Sequence, residues 1–123
     1  MSKQKNSYFY DISVRGLKQP ELFESEAEKV IKEISQVTGW DTPTRVCLEP
    51  VSVNKNLFSL SILTEANGQP VVVTKEGRRV LTLLSRVKRA VKKQIREIQY
   101  KDLNRLRSER RGHPHFSLVW DIL

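Results

Sequence analysis

The chain reads as an α+β protein, a two-layer sandwich in which two helices cover one face of a four-stranded sheet in the order β-α-β-β-β-α. Three observations predict this. Apolar and other residues alternate in YFYDISVRG and in NLFSLSILT, the period of a half-buried strand. Two longer stretches, from Pro20 and from Val80, repeat their apolar residues every three or four positions, the period of a helix. An Asn67-Gly68 pair sits between two β-rich runs and marks a hairpin. The 123 residues contain no internal repeat and no low-complexity linker, so one domain with one core is expected over 8–106, followed by a tail at 107–123.

Residues 1–7 are polar and are expected to fray. The first strand follows, with Tyr8, Tyr10, Ile12 and Val14 against Phe9, Asp11 and Ser13, and Gly16 ends it. Pro20 suits the first helical position, Glu21, Glu24 and Glu26 suit the first turns, and Gly39 suits the stop. Between them Phe23, Ala27, Val30, Ile34 and Val37 mark the buried stripe, while Glu21, Glu24 and Glu28 are expected on a solvated face. TRVCLEPVSVNK is the second strand, with Pro50 predicting an edge position or a bulge. Phe58, Leu60 and Ile62 alternate with Ser59 and Ser61 in the third strand, and Pro70-Val71-Val72-Val73 begins the fourth. Thr74 is the expected N-cap of the second helix. Leu103 and Leu106 leave the register of that helix, so a bend or an end is expected near Tyr100–Asp102.

The charge is not spread evenly. The net charge is +8, yet the segment from Lys75 to Arg111 holds 14 Lys or Arg against Glu76, Glu97, Asp102 and Glu109, a balance of +10. Arg86 to Arg96 contains no acid at all. On a helical wheel Val80, Leu84, Val87, Val91, Ile95 and Ile98 fall within about 60° of one direction. Arg78, Arg79, Arg86, Arg89, Lys92, Lys93 and Arg96 fall on the opposite half, with Lys88 at the border. A basic face that only solubilises usually mixes signs, with Glu four residues before Lys. One sign gathered on one element is the footprint of a polyanion binder.

The residues exclude several kinds of chemistry. There is no Gly-rich phosphate loop, no Cys-x-x-Cys pair and no run of apolar residues approaching the ~20 that span a bilayer. Cys47, beside Val46 and Leu48, is expected to be a buried, inert thiol, and the absence of a second cysteine fits a reducing compartment. His113 and His115 make a solvent-exposed pair rather than a metal site. No cofactor, no small-molecule substrate and no membrane partner is expected, and the protein is read as cytoplasmic and not an enzyme. The aromatic residues form no RNP pattern, so single-strand recognition by stacking is not indicated. A rigid helix of Arg and Lys suits phosphates of structured RNA or duplex, read by shape and charge.

The stretch from Phe58 through NGQPVVVTKEGRRVLTLLSRVKRAVKKQIREIQ resembles the last strands and final helix of the bacterial ribosome hibernation-promoting factor and ribosome-associated inhibitor family. Val91-Lys92-Lys93-Gln94-Ile95-Arg96 matches that family's run, close to Leu-x-x-Gln-hydrophobic followed by Lys or Arg, and YFYDISVRGL resembles its opening strand. The resemblance covers roughly Tyr8 to Lys101 and is to a short form, because the tail from Gly112 is unlike the dimerisation domain of long forms. It implies a β-α-β-β-β-α domain akin to the double-stranded-RNA-binding fold. It also implies a site on the small ribosomal subunit, in the mRNA and tRNA channel, where the protein blocks initiation and stores idle ribosomes. Lys92, Lys93, Arg96 and Arg89 would then contact rRNA, and Arg15 would hold the basic position after the first strand. Two alternatives stand beside this reading: a general duplex-RNA binder, and a protein-interaction module docking through Phe116 and Trp120. The apolar tail GHPHFSLVWDIL is expected to pack on its own domain or on a symmetry mate, as an extra strand or as cover for an exposed patch.

Overall fold

The computed structural model describes residues 2–6, 10–52 and 54–111, with side chains for 10–52 and 54–104. Tyr8, Phe9, His113, His115, Phe116 and Trp120 lie outside the described residues or side chains. The elements are β1 (Ser2–Asn6), β2 (Tyr10–Arg15), α1 (Glu21–Thr38), β3 (Thr44–Ser52), β4 (Leu57–Ala66), β5 (Gln69–Gly77) and α2 (Val80–Arg111). From β2 onward this is the expected order, and the α+β two-layer class stands. The sheet runs β1-β2-β3-β4-β5, with β2 and β3 parallel and the other pairs antiparallel.

The polar N-terminus, expected to fray, instead supplies β1, a fifth strand paired with β2 from Ser2↔Arg15 to Asn6↔Asp11. Its sequence has no apolar alternation, and backbone pairing leaves no trace in hydropathy. β3 is interior rather than an edge strand, and Pro50 is accommodated by a register shift between Pro50 and Ser52. The β4–β5 turn has Asn67 at φ 51° and Gly68 at φ 79°, the left-handed pair that a two-residue hairpin needs.

One face of the sheet is dry. Ile12, Val14, Val46, Leu48, Leu60, Ile62, Val71 and Val73 alternate inward and meet the helices. Phe23, Ala27, Ile31 and Ile34 come from α1, and Leu83, Leu84, Val87, Val91 and Ile95 from α2. Ile31 and Leu83 join the core beyond the expected stripes, whereas Val37 is 39% exposed because the last turn of α1 runs past the sheet. The Thr44 and Thr64 hydroxyls, both buried, satisfy each other at 3.0 Å.

α1 begins after Pro20, whose carbonyl accepts from the Glu24 amide at 2.8 Å, and ends at Gly39, φ 109°, whose amide donates to Ser35 O. α2 does not start at Thr74. That residue lies within β5, and its hydroxyl pairs with Ser61 Oγ at 2.9 Å. Nor does α2 end near Tyr100: it continues as one helix of 32 residues to Arg111, through a run with no Gly or Pro and many strong helix formers.

Gly16 and Gly68 both hold positive φ, but a Cβ at Gly16 would lie 3.1 Å from Pro50 Cγ and 3.2 Å from Phe58 Cε2, whereas Gly68 has open space. In denaturant titrations Gly68→Ala should cost about 1 kcal/mol of backbone strain. Gly16→Ala should cost more, about 2–3 kcal/mol, because strain and crowding add. Equal costs at the two positions would contradict this packing at β2's end.

Candidate nucleic-acid interface

The basic face is positioned by the burial of its opposite side. With Leu84, Val87, Val91 and Ile95 pressed onto β4 and β5, helical geometry turns Arg86, Arg89, Lys93 and Arg96 to solvent. These four are exposed, and none is paired with an acid among the described residues. Their spacing lays them along a ridge about 15 Å long. Arg78 and Arg79 extend it at the helix N-terminus, where Leu83 N–H donates to Arg79 O at 2.8 Å and the first turn holds no acid. Two guanidinium groups at the positive end of a helix raise the local potential instead of neutralising it.

Lys92 and Arg15, two of the eight residues expected in the site, do not join this ridge. Lys92 sits at the seam between the helices, where its Nζ lies 3.4 Å from Glu33 Oε1, while Lys88 Nζ lies 3.1 Å from Glu33 Oε2. Glu33 therefore clasps two lysines at once. The hydrogen bond from Lys88 holds its carboxyl below the usual carboxylate range, burial opposes this, and Lys92 reinforces it. Lys92 faces sideways, toward α1, because it is 120° rather than 180° from the buried direction. A border position on a wheel carries no information about the neighbouring helix. The pairing of Glu33 with Lys88 and Lys92 is therefore not legible in the sequence.

Arg15 lies on the far side of the sheet. Its neighbour Val14 points into the core, so Arg15 points outward, and its Nη1 is 3.4 Å from Glu49 Oε2. That outer face has no positive excess: Arg45 Nε pairs with Asp11 Oδ2 at 3.2 Å, Glu65 and Glu76 lie on the same face, and Ser13, Cys47, Ser61 and Thr74 form a row of small polar side chains across four strands. Cys47, expected in the core, is half-buried in this row. Burial pushes its thiol up, Glu49 adds to that, and the group is not activated as a nucleophile. Because Arg15 and α2 face opposite directions, a single flat footprint cannot include both.

The acids expected to form a solvated face on α1 are also redistributed. Glu24 is only 4% exposed, and its Oε2 has no hydrogen-bond partner. Glu28 accepts from the Tyr10 hydroxyl at 3.0 Å. Both follow Ile31 around the helix toward β2, away from α2, so they do not oppose an anion at the ridge.

Among the described residues no helix is long and apolar enough to cross a membrane. No family model matches the chain, and no characterised protein matches it in sequence.

Glu33→Gln should loosen the clasp. The partners are partly exposed, so the stability lost at neutral pH should stay below about 1 kcal/mol. Because the folded carboxyl titrates below its unfolded range, that contribution is present at neutral pH and disappears as pH falls through the acid range. The variant's stability deficit in chemical denaturation should therefore shrink on acidification. Lys88 and Lys92, released, should raise affinity for a duplex RNA probe severalfold and steepen its salt dependence by one to two phosphate contacts. An unchanged salt slope would show that the two lysines stay out of the interface.

Proposed function

We propose that this chain is a non-enzymatic, ribosome-associated translation inhibitor of the hibernation-factor kind, acting in the cytoplasm. It would bind rRNA of the small subunit in the mRNA and tRNA channel through α2. The observation that carries this reading is the set of six exposed cations, paired with no acid among the described residues, on one helix and its N-terminus: Arg78, Arg79, Arg86, Arg89, Lys93 and Arg96. The element order from β2 to α2 is the one the family resemblance implies, which supports the reading at the level of fold.

The mechanism is electrostatic and steric. Arg side chains fork onto phosphate oxygens, and Lys93 acts as a point charge. Neutralising phosphates releases condensed counterions, so affinity falls with salt. No base-reading group is needed: a helix backed by a packed sheet presents its charges with little reorganisation, and the bulk of the domain would fill the space that mRNA and tRNA require. Lys88 and Lys92 would contribute where the local phosphate potential outcompetes Glu33.

Sedimentation of the purified protein with ribosomal subunits at two salt concentrations tests this. The protein should travel with the small subunit at low salt and be shed at high salt, with a logarithmic slope of about −5 for six contacts. Arg86→Glu, Arg89→Glu and Lys93→Glu together should abolish co-sedimentation while leaving circular dichroism and thermal midpoint close to those of the parent, because all three point away from the core. Equal salt-sensitive binding to any RNA duplex would favour the general duplex binder. A protein that stays at the top of the gradient at both salts is not a ribosome factor.

A further inference from the structure

We propose that the segment Phe116–Leu123 docks in cis on the open edge of β5 as a sixth strand, parallel to β5. β5 is the last strand of the sheet and pairs only with β4 among the described residues. It is nine residues long, and between Pro70 and Lys75 its Val71-Val72-Val73-Thr74 run has neither charge nor proline to blunt it. An unpaired edge with an uncharged, proline-free centre is a template for another strand, and Pro70, Lys75 and Glu76 restrict that template to the middle of β5. On the sheet's outer face Val72 is 53% exposed beside its partner Leu63 at 37%, an apolar pair at the border of an otherwise polar surface.

The path of the chain places the occupant. Asn67 Nδ2 donates to Asp102 Oδ2 at 2.7 Å, so α2 passes the β4–β5 turn, and hence the start of β5, at Asp102. The helix then continues to Arg111, about 13 Å further. Pro114 disfavours further helix, and the five steps from Arg111 to Phe116 span about 17 Å when extended, enough to return about 13 Å along the helix and to cross the roughly 10 Å between the helix layer and the sheet. Phe116 can thereby reach the start of β5 with eight residues left, FSLVWDIL, which as a strand would span about 26 Å against about 30 Å of β5. Phe116, Leu118, Trp120 and Ile122 would share one face of such a strand and are all apolar, while the other face, Ser117, Val119, Asp121 and Leu123, is mixed.

Topology agrees with the arithmetic. β3 is parallel to β2, and two antiparallel steps make β5 parallel to β3. α1 and α2 pack against each other on the same face. A strand added outside β5 through α2 therefore repeats the hand of the β2–α1–β3 crossover, and parallel crossovers take one hand almost without exception. The proposal is independent of what α2 binds.

Amide hydrogen exchange on the full chain, with its mass checked by sedimentation, tests it. In the monomer alternate amides within 117–122, those that face β5, and the β5 amides that point away from β4 should exchange at least about tenfold slower than unstructured chain. Val119→Pro combined with Trp120→Pro, which removes a β5-facing N–H whichever way the strand is oriented, should abolish both sets of protection together while β3 and β4 amides stay protected. Tail amides exchanging at unstructured rates in the parent chain overturn the proposal. So does protection that appears only as the protein dimerises, which would assign the β5 edge to a second copy.

Discussion

The parallel pairing of β2 with β3 is the constraint on which the rest of this structure depends. Antiparallel neighbours can be joined by a tight turn, but parallel ones need a crossover, and α1 is that crossover. Once α1 lies on one face, that face becomes the core side for every strand. The inward set Ile12, Val14, Val46, Leu48, Leu60, Ile62, Val71 and Val73 follows from the period-two alternation and the register between strands. The remaining width of the sheet, over β4 and β5, then has to be covered by α2. The basic half of α2 faces water because its other half has no alternative but the sheet.

That arrangement sorts charge as well as hydropathy. Two helices side by side share a seam, and Glu33 takes up two lysines there that an isolated α2 would have displayed. On the ridge that remains no Arg or Lys is paired with an acid among the described residues, although Glu97 stands one turn beyond Lys93, while the outer sheet surface has its arginines matched to Glu49 and Asp11. Coulomb interactions across a few ångströms at a surface are individually weak, so the matched pairs contribute little to stability. Their larger effect is on the field: on the outer sheet face acids match or exceed the arginines, and on the α2 ridge cations predominate.

Much of the fold was legible in the chain because it depends on short-range periodicity. The alternation around Ile12 and around Leu60, the stripes of both helices, and the Asn67-Gly68 turn all describe contacts within a few residues of one another. Features that depend on partners far away in sequence were not legible. β1 is held by backbone pairing and carries no side-chain pattern. Thr74 has the side chain of an N-cap, but the pairing of β5 with β4 carries the strand on to Gly77 and delays the helix. Glu24 looks like a helix-start acid, yet it is buried because the flank of α1 that it shares with Ile31 turns toward β2.

The sequence by itself determined the class of the protein, the order of its elements from β2 to α2, and the fact that one helix has a continuous basic half. These follow from residue periods and from the local charge count, which no tertiary contact alters. Only the tertiary structure decided which of those cations are available. Arg86, Arg89, Lys93 and Arg96 remain open to an anion, Lys88 and Lys92 are held by an acid 55 and 59 residues away, and Arg15 is carried to the opposite face. A wheel gives direction relative to a helix axis. What stands in that direction is set by the packing of the other elements.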